Sequence, residues 1–394
     1  MEKKYRTFSG QSMYDLVRLD DCTNGSHLVC NIENIKRWMG SCVYCMLLSA
    51  TIFDFLFAGV WADRYSHKKL IILADCVITL ATLMMFFVMP AISSDSVLLS
   101  ALLIMSMIRS LGAGVQTPAV NAVIPRLVPE EHLMRYNGIN ATMQSIVQFA
   151  APAAAGAVLS MGTFRFTLLI DILTAFLGIG LLSCVLLPKQ KVTNESTSFG
   201  AEMKAGILYS FSDKTIGKIL IVYGLYILLC VPAGFMAALL VSRVYGDVYW
   251  YLTAVELVGF AGMALGGVLM GIWGGFKSRV KTFAVGLLIL SIMTIGMGVS
   301  PYFILYLVLM FVYSIALTMI QTATTTIIQE KAEGSMQGRV FGLMGAMYSG
   351  FLPVGMVVFG PLADVLPLQW IMVGSGIALV FVSVYLQTKT KLDM

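Results

Sequence analysis

Charge is scarce in this chain. Asp, Glu, Lys and Arg make up 12% of its 394 residues, 58% are hydrophobic, and the mean hydropathy is +0.85. A soluble globular domain carries roughly 25% charged residues, so an ordinary soluble fold is excluded. Histidine is scarcer still: His27, His67 and His132 are the whole set, and none lies in a clear apolar run. No His-Glu-x-x-His, Gly-x-Ser-x-Gly or P-loop pattern occurs, which leaves metalloprotease, serine-hydrolase and nucleotide chemistry without residues to carry it. We therefore expect no enzyme activity, no catalytic residues, no metal and no cofactor, and an ion gradient rather than ATP as the energy source. The seven cysteines form no disulfide or zinc framework, because Cys42-Val-Tyr-Cys45 has no second pair to join. A cleavable signal peptide is also missing, and a chain with its own membrane spans has no need of one.

Long apolar sequence is what the chain has in quantity. Runs at 70–89, 97–117, 137–160, 166–187, 217–241, 249–274, 281–299, 302–326, 338–361 and 367–386 approach or exceed the roughly 20 residues that cross a bilayer as helix. A weaker run at 43–62 is interrupted by Asp54. The chain reads as an all-α, polytopic membrane protein whose solvent is the lipid bilayer. Between the runs at 43–62 and 70–89 lies Gly59-Val-Trp-Ala-Asp63-Arg64-Tyr-Ser-His67-Lys68-Lys69, too charged for hydrocarbon and too short for anything but a tight loop. Its basic excess marks the cytoplasmic face. On that assignment Arg126, Arg135, Lys189, Lys191, Lys277 and Arg279 are inside with most other basic residues, and the outside loops hold Arg165 and Arg243. The formal charge of +5 therefore expresses topology, and no nucleic-acid partner is implied.

Polarity also divides the chain. Residues 1–42 are an atypical polar N-terminal segment, 43–187 an N-terminal helical half, and 188–215 a cytoplasmic linker with a surface helix around 200–213. Residues 216–388 form a C-terminal helical half, followed by a cytoplasmic tail at 389–394. The halves resemble each other. Ile124, Arg135, Gly138 and Gly156 stand at one constant offset from Ile328, Arg339, Gly342 and Gly360. Gly59-Val-Trp61 recurs as Gly271-Ile-Trp273, again before a basic loop. Spacing, topology and linker position together indicate an internal duplication.

These residues carry a family resemblance. Two parallel repeats around a midplane substrate site are the pattern of the major facilitator superfamily. Gly59-x3-Asp63-Arg64-x3-Lys68 resembles that family's signature between helices 2 and 3, with Ser66 in place of its glycine and His67 in place of its arginine. Gly138, Ala151-Pro152 and Ala155-Gly156 resemble the fifth-helix motif of drug:proton antiporters, with Val147 and alanines where the motif has glycines. Ile108-Arg109-Ser-Leu-Gly-Ala-Gly114 and the stretch from Ile124 to Gly138 are most similar to macrolide-efflux proteins. The resemblance covers about 57–394 and implies twelve helices in two six-helix halves, of which about eleven are readable. An apolar helix 1 never arrives. The polar, Cys-rich stretch 12–56 fills the length that helices 1 and 2 should occupy, either as a segment translated in a shifted frame restored near Phe57 or as natural divergence.

The resemblance also implies roles. Asp63 would meet the positive N-terminal end of the helix starting near Gly338 and lock one conformational state, with Gly59, Arg64 and Lys68 completing the motif. For Arg64, Lys68 and Lys69 the competing reading is a topology signal alone. Arg109 falls near mid-bilayer, where a charge is expensive and marks a pathway or a paired interior site. It is a proton-coupling candidate or half of a structural pair, with a partner expected on helix 1. Glu256 is either a partly desolvated carboxyl that exchanges protons or meets a cationic drug, or a hydrated residue near the interface. Asp75 and Asp171 read as interfacial or packing carboxylates. Small residues from Gly138 to Gly156 permit close helix approach, and Pro152 removes one backbone hydrogen bond. Gly262-x3-Gly266 and Gly267-x3-Gly271 read as packing faces.

The reading is a proton-coupled exporter of amphipathic, macrolide-like drugs in a bacterial cell membrane, conferring antibiotic resistance, acting as a monomer by antiport. Its partners are the drug, the proton and the bilayer. An exporter of another solute, such as a siderophore or metabolite, and a non-transporting membrane protein are the alternatives.

Overall fold

The computed structural model describes residues 57–92, 95–161, 164–184, 199–246 and 248–392. The stretch 12–56 in either reading, the Cys42–Cys45 pair and Asp54 lie outside the described residues. Within them the chain is helical and has no strand.

A helical segment at 57–64 leads into α1 (His67–Val88). Then follow α2 (Asp95–Leu127), α3 (Leu133–Met161), α4 (Phe164–Cys184), α5 (Phe199–Ser212), α6 (Lys214–Gly234), α7 (Ala237–Val244) and α8 (Tyr249–Trp273). The last four are α9 (Arg279–Val299), α10 (Phe303–Lys331), α11 (Gln337–Val365) and α12 (Leu368–Leu392). Local chemistry sets several boundaries. Asp213 caps α6 by accepting from the Thr215 and Ile216 N–H groups, and the Ser278 hydroxyl accepts from Lys281 N at the start of α9. Gly274, at φ +74°, ends α8 in the left-handed conformation that glycine tolerates.

Among the described residues eight spans are long and apolar enough to cross a membrane, carried by α1, α4, α6 with α7, α8, α9, α10, α11 and α12. The two other long helices, α2 with 33 residues and α3 with 29, cover the expected spans 97–117 and 137–160 and are more polar. The α1 helix shows why this is a bilayer surface. Leu73, Val77, Leu80, Met84 and Phe87 form one exposed apolar stripe at helical spacing. The opposite face buries Asp75, Thr79 and Thr82. A soluble helix does the reverse, so hydrocarbon is the medium outside and polar partners are inside.

The chain forms two compact units. One holds the described residues up to Pro129 with Val147–Ser210 and Ala332–Ser349; the other holds Glu130–Ile146, Phe211–Lys331 and Gly350 onward. Each unit therefore contains a helix start from the opposite side of the linker: that of α11 in the first, that of α3 in the second.

Candidate functional site

The expected Gly59–Lys69 loop is mostly helix, with only Tyr65 and Ser66 between segment 57–64 and α1, and its position is set by backbone proximity. In the first unit a Cβ on Gly59 would lie 2.7 Å from the Gly338 carbonyl oxygen, and one on Gly338 would lie 2.6 Å from the Gly59 carbonyl oxygen. Only glycine at both positions lets segment 57–64 lie against the start of α11. That approach delivers Asp63, which is 5% exposed, to the helix end. Its Oδ1 accepts from the Gly338 N–H at 2.6 Å and its Oδ2 from the Arg339 N–H at 3.0 Å. These are first-turn amides that no residue within the helix can satisfy, so Asp63 serves as an N-cap supplied from far away in sequence. The helix dipole adds attraction for an anion, and Arg339 Nε stands 3.6 Å from Oδ2. Burial still dominates the titration. It pushes the Asp63 carboxyl from an ordinary 3.8 up to about 7, against the pull of the two N–H groups and of the Arg339 and Arg126 charges.

The neighbouring basic residues have partners of their own. Arg64 Nη2 donates to Glu202 Oε1 at 2.9 Å, and Arg339 Nη2 donates to Glu202 Oε2 at 3.2 Å. Lys68 Nζ donates to the Ser183 carbonyl at 2.8 Å, in the last turn of α4. There a cation meets the negative helix end. Sequence reasoning missed Glu202. Its signal was an acid followed at helical spacing by the small residues Gly206 and Ser210, which give α5 one narrow polar face.

Arg109, 1% exposed, sits on α2 in the first unit. Its Nη1 donates to Asp171 Oδ2 at 2.5 Å and to Thr82 Oγ1 at 3.0 Å. Thr82 donates on to the same Asp171 oxygen at 2.8 Å. From the sequence the Arg109 partner is expected on helix 1, and Asp171 is an interfacial or packing carboxylate. The structure supplies a partner from α4 instead, and Asp171 is 2% exposed. Membrane-facing periodicity could not distinguish these positions, because pairing depends on which helices pack together. Asp75 is buried as well, two turns away from Thr82, and accepts from Gln116 Nε2 at 2.5 Å. The spacing from Asp75 to Thr82 on α1 matches that from Arg109 to Gln116 on the antiparallel α2, so both polar pairs share one register.

In the second unit the start of α3 packs on α8. A Cβ at Gly138 would lie 2.6 Å from Gly271 N, and one at Gly267 would lie 2.7 Å from the Gly138 carbonyl oxygen. The Gly267-x3-Gly271 face thus packs against the beginning of the fifth-helix motif. Asn137 Nδ2 adds hydrogen bonds to Gln329 Oε1 at 2.7 Å and Thr326 Oγ1 at 2.9 Å on α10. Ala151, buried, and Pro152, exposed, fall in the first unit; the surroundings of Ala155 and Gly156 lie outside the described residues. Glu256 is exposed on α8. Among the described residues no group of three His, Cys, Asp or Glu side chains is placed to hold a metal ion.

The chain is similar to known proteins along most of its length. Macrolide efflux protein A of Streptococcus pyogenes is 28% identical over 314 residues, covering 78% of this chain and 76% of that protein. Macrolide efflux protein A of Enterococcus faecalis is 28% identical over 333 residues, covering 81% of this chain and 100% of that protein. Among solved structures, a bacterial homologue of the iron transporter ferroportin, in its outward-facing state, superimposes with a TM-score of 0.77. It is 16% identical and covers 97% of this chain and 99% of its own, a likeness of fold alone. The Major Facilitator Superfamily model matches residues 36–349, and this chain belongs to that superfamily of membrane transporters.

Proposed function

We propose that the chain is a secondary active exporter of amphipathic, macrolide-like drugs, driven by proton influx through alternating access of two helical halves. The observation that carries this reading is the sequence kinship with macrolide efflux proteins across about four fifths of the chain. The cytoplasmic loop gives it a mechanism. Asp63 docked on Gly338 and Arg339 holds the state closed to the cytoplasm, and release of that contact opens it. The fifth-helix motif from Gly138 to Gly156 seals the same state by close packing. Arg109 with Asp171, and Glu256 on its exposed face, are the groups assigned to proton coupling or substrate contact. The protein works as a monomer in the bacterial cell membrane, with linker and C-terminus cytoplasmic, and its export lowers antibiotic susceptibility.

The test is accumulation of radiolabelled erythromycin in cells expressing the chain, with and without a protonophore, after membrane insertion is verified. Low accumulation that rises with the protonophore is the expected result. Accumulation equal to that of control cells removes the macrolide reading. A panel of siderophores and metabolites then decides whether another solute is carried.

A further inference from the structure

From the geometry around Glu202 we infer that α5, the linker helix, is a working part of the Asp63 lock, and that Glu202 is its positioning residue. The inference rests on the lock reading above and extends it to a segment that reads as a mere connector.

A carboxylate on a solvated linker helix ordinarily points to water, yet Glu202 is 8% exposed. Its two oxygens are divided between two arginines from distant parts of the chain. Arg64, next to Asp63, donates to Oε1 at 2.9 Å, and Arg339, whose backbone N–H donates to Asp63, donates to Oε2 at 3.2 Å. Asp63, Arg339, Glu202 and Arg64 thus close a ring of alternating charge, joined on its fourth side by the 63–64 peptide bond. Charge-assisted hydrogen bonds of this kind are the strong ones, and a planar guanidinium fixes direction as well as distance.

The rest of the helix fits the same task. One turn beyond Glu202, a Cβ on Gly206 would lie 2.8 Å from Arg339 Cβ and 2.9 Å from its Cδ. The absent side chain lets α5 lie on the aliphatic stem of Arg339 and aim its guanidinium. One further turn on, Ser210 is fully buried, and the Tyr209 hydroxyl accepts from the Glu333 N–H at 3.0 Å. Glu202, Gly206 and Ser210 lie on one face at helical spacing; the first two meet Arg339, and the Ser210 hydroxyl donates to the Gly206 carbonyl at 2.8 Å. Arg339 is consequently held from two sides, its backbone by Asp63 and its side chain by α5. Losing the second support frees the side chain and lets the first turn of α11 leave Asp63 more often.

Hydrogen exchange tests this without any substrate, because the Gly338 and Arg339 amides are themselves the donors to Asp63. The full-length protein is reconstituted in lipid nanodiscs, and exchange is followed at the start of α11 for wild type, Glu202→Gln, Asp63→Asn and the double variant. Lys204→Gln, on the exposed side of α5, is the control. Glu202→Gln is expected to speed exchange of these amides about tenfold, the factor that accompanies loss of one charge-assisted hydrogen bond. Adding it to Asp63→Asn should change little more, since coupled residues are non-additive. A second variant, Gly206→Val, keeps the charge but lifts α5 from Arg339 and should give the same acceleration. If Asp63→Asn speeds exchange and the α5 variants do not, the linker role is overturned and the lock stands. Full additivity of the two substitutions also overturns it, because Glu202 then acts elsewhere. If Asp63→Asn itself has no effect, the lock reading fails and takes this inference with it.

Discussion

The residues that matter most are charged groups held where charge is costly. Asp63 is one. Its docked carboxyl titrates near 7 where a free one titrates near 3.8, so the docked state binds its proton more tightly. Linkage then fixes the sign: this contribution to docking is fully present below about pH 4, declines as pH rises, and is lost above about 7. Trp61 lies two residues away, so tryptophan fluorescence should show a titration step near pH 7 that Asp63→Asn abolishes. A step that survives the substitution belongs to another group. Arg109 and Asp171 are another instance, a buried ion pair that Thr82 joins. Removing one partner of a buried pair costs about 3–5 kcal/mol, whereas replacing both with apolar residues is often close to neutral. Arg109→Met and Asp171→Leu should each lower the thermal unfolding temperature sharply, and the double variant should recover most of the loss. Transport by that double variant separates the two readings of Arg109: a purely structural pair leaves transport intact, and a coupling residue does not.

At the scale of the helix, small residues decide how closely two backbones approach. The α3–α8 contact in the second unit is the clearest instance, with Gly138 and Gly267 each facing the other helix's backbone. Overpacking such a contact typically costs about 1–3 kcal/mol. Gly267→Val should therefore lower thermal stability in detergent, whereas Gly180→Ala, with nothing within 4 Å of its Cβ, should not. Equal melting of both variants would show that the helices slide apart freely. Helices of this kind were largely legible in the sequence. Apolar runs placed nearly every span, whereas the cap at Asp213 and the left-handed glycine at Gly274 came from the structure. Packing partners were not legible. Glu202 and Asp171 looked like a linker acid and an interfacial or packing acid because helical spacing reports which face is polar, not which helix that face will meet. The Gly267-x3-Gly271 face was readable as packing, but its partner at Gly138 was not.

At the scale of the whole molecule the duplication is visible, and so is the place where it breaks. Gly59 and Gly271 occupy matching positions in the repeat, and each sits against the start of a helix from across the linker, α11 in one unit and α3 in the other. Continuing the match, Asp63 falls opposite Gly275. That residue has φ +76°, and a Cβ there would lie 3.0 Å from Thr282 Oγ1 and 3.1 Å from Met134 Cε, so an aspartate would be both strained and crowded. The contact in the first unit therefore joins a carboxyl to helix-start amides. The second closes on glycine packing and on the Asn137 amide with Gln329 and Thr326. Amides and hydroxyls do not titrate between pH 5 and 8, whereas Asp63 does. Exchange at the start of α11, corrected for the intrinsic pH dependence of amide exchange, should quicken as pH rises from about 4 to about 7 and level off above, while exchange at the start of α3 stays flat. Asp63→Asn, whose amide keeps only one acceptor oxygen for the two N–H donors, should loosen α11 at every pH, remove its pH response and leave α3 unchanged. Should both helix starts respond together, the two contacts form one cooperative unit and the broken symmetry has no consequence for opening. Should α11 alone respond, the proton acts on one of the two repeat-related contacts, and a transporter built from two like halves carries its pH sensitivity in that contact and not in its counterpart.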